Sequence, residues 1–254
     1  MRTLAIVAAS VAAVVASGAH AAQKTMKFVT VDPGQSVTVK WFNGTAWEEH
    51  GTSAGVFKWT NTNGTGAYVT FCCQLNENIG YGGTYLYNCV DPSAVPDGGA
   101  GNLPVTPGPM GLVKAQVLKD LYYRFYDTAR SGANLGEQQK NAAAFQLCVW
   151  EIVHEVIGAT ESAQDFVTSL GLADGNGDFY VKTGGANAAT LALAEGWLDQ
   201  LGAGGVFNSY DALTGLTNMD NQDQLEVVPI PAPVVLAGLG LIGVAGLRRR
   251  MKKA

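Results

Sequence analysis

Four cysteines, Cys72, Cys73, Cys89 and Cys148, are the side chains of this sequence best suited to covalent chemistry. An even number of thiols in an oxidising compartment pairs into disulfides by default. Cys72 and Cys73 complicate that pairing: on a strand, adjacent side chains point to opposite faces, so one of the two serves any given interior site. A second group is Glu151-Ile152-Val153-His154-Glu155, whose Glu-x-x-His spacing places two metal-ligand types on one helix face. No second half-site accompanies it. His154 is therefore expected on a solvated helix surface, and no metal is expected. Asp174-Gly175-Asn176-Gly177-Asp178 carries the first ligand positions of a calcium loop, but Phe179 stands where glycine is required and Gly185 where the bidentate glutamate belongs. A turn is the expected reading. Asn43-Gly44-Thr45 and Asn63-Gly64-Thr65 read as hairpin turns. No Ser-His-Asp order and no phosphate-cradling glycine loop stands out, so neither an enzyme nor a cofactor is expected.

The elements that must position these residues follow from periodicity. Met26–Val31 runs into a turn at Asp32-Pro33-Gly34, and Gln35–Trp41 alternates on period two. Gly55–Trp59, Ala67–Phe71 and Thr84–Tyr87 read as further strands. After a Gly- and Pro-rich loop over Asp91–Pro109 the period becomes helical. Leu112, Val113, Val117, Leu121 and Phe125 form one helix face. A second helix is expected over Gln138–Ile157, with Phe145, Val149, Ile152, Val153 and Val156 as its stripe and Gly158 as its stop. A third spans Ala188–Leu201, capped by Asn187. Short strands at Phe179–Val181 and Gln224–Val228 complete an α+β architecture: a mainly antiparallel β-sandwich or barrel with a helical insertion.

Both ends carry export features. Residues 1–21 read as a signal peptide: Arg2, an apolar stretch from Leu4 to Val15, and Ala19-His20-Ala21 as the cleavage site for signal peptidase. Residues 22–227 form the exported domain, and residues 228–254 a tail. Val228-Pro229-Ile230-Pro231-Ala232 precedes an apolar run from Pro233 to Leu247, near the lower limit for a transmembrane helix, and then Arg248-Arg249-Arg250, expected on the cytoplasmic side of the inner membrane. The whole chain has a net charge of −5, but the exported part keeps ten basic against 21 acidic residues, a net charge of −11. With no basic cluster left there, no nucleic-acid partner is expected.

The tail resembles the PEP-CTERM sorting signal processed by exosortase, with Ile230 at the position of the glutamate that names the signal. The resemblance implies transient retention in the inner membrane, then delivery to the cell surface or extracellular matrix, with exosortase as a processing partner. Inside the domain, Phe71-Cys72-Cys73-Gln74-Leu75-Asn76-Glu77 resembles the Phe-Cys-Val-Glu-Leu-Asn-Glu segment of bacterial thioester domains. Ala144-Phe145-Gln146-Leu147-Cys148-Val149-Trp150 resembles that family's Thr-Gln-Xaa-Ala-Ile-Trp segment, and Gly108-Pro109-Met110-Gly111 with its helix is similar to the branch found in PEP-CTERM proteins. What this resemblance implies is an internal thioester between the Cys72 sulfur and the Gln146 acyl group, opened by an amine-bearing surface protein or polysaccharide. Phe145 stands in place of the family's threonine and Cys148 in place of its alanine. A Cys72–Cys148 disulfide is then the competing arrangement, and Cys89–Cys148 is the pair expected if Cys72 is acylated. The alternative function is a disulfide-stapled structural protein of the exopolysaccharide matrix.

Overall fold

A computed structural model of the chain describes residues 22–96, 108–158, 161–175 and 177–228. The expected signal peptide and the expected tail beyond Val228 lie outside the described residues. Among those that are described, no helix is long and apolar enough to cross a membrane.

Among the described residues, seven strands and four α-helices follow in the order β1 (Gln23–Phe42), β2 (Trp47–Thr60), β3 (Tyr68–Cys72), β4 (Thr84–Val90), α1 (Gly111–Ala129), α2 (Leu135–His154), α3 (Ala163–Val167), β5 (Phe179–Val181), α4 (Ala188–Leu198), β6 (Leu213–Thr217) and β7 (Gln224–Val227). The sheet runs β2-β3-β7-β6-β4-β1-β5, and β1 also pairs with β2. That second pairing closes six strands into an antiparallel barrel, with β5 laid against the far half of β1. Of the two architectures the alternation allows, the molecule takes the barrel, with β5 as an edge strand paired with β1 alone.

β1 differs from its expected form. Asp32-Pro33-Gly34 does not turn the chain back; the strand continues through it as a bulge, with register shifts against β2 between Phe28 and Thr30 and between Val31 and Gly34. An extra residue in one strand bends it without ending the ladder. The backbones crowd there: a Cβ on Gly55 would meet the Pro33 carbonyl oxygen at 2.3 Å, so only glycine fits. The two Asn-Gly-Thr segments do turn. The Asn43 side-chain oxygen accepts from the Thr45 and Ala46 amides between β1 and β2, and Asn63 accepts from Thr45's counterpart, Thr65, between β2 and β3.

α2 is the axis of the core. Asn134 caps it by accepting from the Glu137 amide, and every residue from Asn141 to His154 is buried. A helix buried on all sides needs partners all round: β1, β2 and β3 on one side, α1 and α4 on the other. Large side chains here, such as Phe145 and Trp150, each contribute on the order of 1.5–3 kcal/mol by leaving water. The helix ends at His154 with Glu155 as cap, short of the expected Ile157 and Gly158, so Val156 is exposed. Leu112, expected inward on α1, is exposed too, because it lies in the first turn, ahead of the packed part of the helix.

Candidate functional site

Cys72 is the last residue of β3, and Gln146 lies midway along α2; both are completely buried. β3 is hydrogen-bonded to β7 opposite Gln224, but its pairing with β2 ends at Thr70. The backbone of Cys72 would thus lack a partner on that side, a costly state for buried peptide groups. Gln146 fills the place. The Cys72 amide donates to Gln146 Oε1 at 3.0 Å, and Gln146 Nε2 donates to the Cys72 carbonyl at 2.6 Å. The carboxamide thus takes the position of a neighbouring strand's peptide. One donor and one acceptor on the same residue fix which end of the amide is oxygen. The carboxamide is thus held against the backbone of the residue that carries the sulfur.

The thiol is held by its own chain. Cys72 Sγ donates to the Gln74 carbonyl and accepts from the Gln74 amide. Burial pushes the thiol pKa up to about 12, opposed by the Gln74 amide and by the indole N–H of Trp150 beside the sulfur. That indole makes no hydrogen bond of ordinary geometry. Phe71, turned to the opposite face of the strand, packs on Phe145 with centroids 4.6 Å apart and on Tyr122 and Tyr126 of α1. Phe145 therefore belongs to an aromatic wall that keeps water from the helix side. From the sequence, Trp150 is expected only as an apolar shield beside Phe71 and Val149; its N–H and the Gln74 backbone at the sulfur are not legible there, because their position relative to Cys72 depends on a strand end meeting a helix from elsewhere in the chain.

Neither of the alternative pairs, Cys72–Cys148 or Cys89–Cys148, is bonded in this structure. Cys72, Cys89 and Cys148 are thiols. Residues two apart on an α-helix project about 200° apart, so with Gln146 on the barrel side, Cys148 faces away and its sulfur donates to the Ala194 carbonyl of α4 at 3.4 Å. Cys89 is half-buried on β4 opposite Leu216 of β6. The helix face explains both failures: Cys148 addresses α4, and neither Cys72 nor Cys89 lies on that element.

His154 departs from expectation as well. It is buried between Trp41 and Phe179 rather than solvated, and burial, with Lys114 nearby, holds its pKa down to about 3. Burial pushes the Glu151 carboxyl well above its ordinary range; one of its oxygens accepts from the Gly171 amide at 2.7 Å. Lys114, brought down to about 8 by burial, donates to the Val153 carbonyl. Glu155 accepts from the Asp178 amide, and it fits because Gly177 has no Cβ to strike it. Among the described residues, no three His, Cys, Asp or Glu side chains converge as metal ligands. Asp174 is occupied by the Thr183 amide and hydroxyl.

A cavity of about 200 Å³ opens at the segment following Cys72, between Leu75 and Asn76 on one side and Trp41, Glu48 and His50 on the other. Comparison with protein-family models, with curated proteins and with solved structures returned no match to this chain.

Proposed function

We infer that the chain is an exported surface or matrix protein, sorted by exosortase, whose domain attaches covalently to amine-bearing targets through a thioester between Cys72 and Gln146. The observation that supports this most is the two-point grip of the Gln146 carboxamide on the Cys72 backbone, in a fully buried setting. The two residues are 74 positions apart, and the fold brings together the pair that the sequence resemblance names. The chemistry balances simply. The sulfur bonds to the side-chain carbonyl carbon, the carbon–nitrogen bond breaks, and ammonia leaves with the thiol proton. Later an amine bonds to the same carbon and the carbon–sulfur bond breaks, giving an amide and restoring the thiol. Glu48 at the nearby cavity favours the approach of a cationic amine.

Intact mass of the purified exported domain tests the bond. The thioester predicts a deficit of about 17 Da from lost ammonia, whereas each disulfide removes about two hydrogens. A mass lowered only by pairs of hydrogens would leave a stapled structural protein of the matrix.

Sorting rests on the tail. The sorting motif carries Pro229 and Pro231, and a proline disfavours helical backbone at the residue before it, which suits a protease that reads an extended strand. Pro229→Ala combined with Pro231→Ala is therefore expected to leave an uncleaved, membrane-retained protein. Immunoblots of cell fractions check this, and unchanged size with unchanged release would rule out exosortase processing.

A further inference from the structure

Trp150 lies one helical turn beyond Gln146, on the same face of α2. It is 1% exposed, and its indole nitrogen has no hydrogen-bond partner of ordinary geometry. Buried N–H groups are nearly always partnered, because stripping water from one without replacement costs stability. Gln146, one turn earlier on this face, is hydrogen-bonded to the Cys72 backbone, and the Cys72 sulfur is the group on which this indole N–H acts. In the thiol state that sulfur is a poor acceptor, so the indole gains little from it. The position makes sense in another charge state.

We propose that Trp150 is a catalytic residue of the Cys72–Gln146 thioester, donating its indole N–H to the sulfur as negative charge collects there. This rests on the thioester reading above. When an amine bonds to the Gln146 carbonyl carbon, the carbon–sulfur bond breaks and its electron pair leaves with sulfur. The proton shed by the amine then restores the thiol. In water the departing thiolate would be solvated at once. In this site no solvent reaches it: Cys72 and Gln146 are wholly buried, and Phe71, Phe145 and Tyr122 close the helix side. A donor already in place is worth far more in such surroundings than in water, since it requires no reorganisation when the bond breaks.

The Gln74 amide also reaches the sulfur, at 3.4 Å, but it is backbone and present whatever the side chain. Trp150 is thus the side chain whose substitution isolates the effect. Trp150→Phe keeps a ring of related shape and removes the N–H. It is expected to retain the ammonia-loss mass deficit and the final yield of methylamine adduct, while the rate at which the adduct appears falls roughly 10- to 100-fold. A spectroscopic signature accompanies this. The chain has five tryptophans, and the indole N–H resonance missing from Trp150→Phe is expected to move when methylamine opens the wild-type thioester, and to stay fixed when methylamine is added to Gln146→Glu. Should Trp150→Phe not fold, the wild-type indole resonance, assigned by backbone-to-side-chain correlation, gives the decision alone. A Trp150→Phe protein with the deficit and an unchanged rate, or a wild-type resonance that does not move on opening, overturns the role of Trp150 and leaves the thioester standing. Wild-type protein without the deficit overturns both, and the mass separates that outcome from the other.

Discussion

Wild-type protein incubated with methylamine is expected to gain that amine at residue 146, and neither Gln146→Glu nor Cys72→Ala is expected to gain any. The effect is all or none, because one variant removes the leaving group and the other the nucleophile. A carboxylate is a far poorer acyl donor than a carboxamide that loses ammonia, and alanine offers no sulfur. The structure adds a prediction for stability. Gln146 Nε2 donates to the Cys72 carbonyl, and an ionised glutamate would turn an oxygen on that carbonyl instead. Residue 146 is wholly buried, so the new carboxyl is expected to stay protonated at neutral pH and donate in the amide's place. Gln146→Glu should therefore fold, at a cost of about 1–3 kcal/mol. The sign follows from a raised folded-state pKa: the variant is steadiest in acid and loses stability as pH rises through that value. Peptide mapping of the amine adduct and denaturation at two pH values check both halves. Methylamine uptake by either variant, or none by wild type, would refute the mechanism.

The second large effect lies away from that pair. Asp120, on the inner face of α1, is completely buried and accepts from the Gly202 amide, from the Asn208 amide and side chain, and from Arg124. Burial works against its charge, but these donors outweigh it and hold the carboxyl below its ordinary range. Asp120→Ala strands several donors at once and frees the segment after α4 from α1. A loss of about 3 kcal/mol is expected, or roughly 10 °C in melting temperature for a domain of this size. The wild-type contribution is present above the unfolded-state pKa and is lost as pH falls through the lower folded-state value. Because Asp120 does not touch Cys72 or Gln146, the mass deficit should survive in Asp120→Ala below its melting temperature. Calorimetry gives the first number and mass spectrometry the second.

Much of this arrangement was legible in sequence. The alternation in Gln35–Trp41 and the helical stripe through Phe145, Val149 and Val153 reflect faces that local burial dictates. The Cys72–Gln146 pairing was legible only through resemblance, since nothing local in either segment reveals the other. Closure of the barrel was not legible, because it depends on β3 meeting β7 and on one long strand being shared by three partners. β6, with Gly215 at its centre, is too short to show a period. His154 was misplaced for a related reason: periodicity describes one helix against one surface, and α2 is enclosed on every side. The cysteine pairs failed similarly, since parity of thiols says nothing about which helix face each occupies.

The strand order also sets a timetable. β1 and β2 are sequence neighbours joined by a short turn, so they can pair early, whereas Thr70 of β3 reaches Gln224 of β7 across 154 positions. Contacts of such span form late, after the intervening chain has paid its closure entropy. Cys72 sits at that late seam, opposite Gln224. With β7 docking last, the Cys72 backbone gains its Gln224 partner only as folding finishes, and on the proposed chemistry acylation is expected to follow that step, so a bond meant for an outside amine is not spent while the chain is still being assembled.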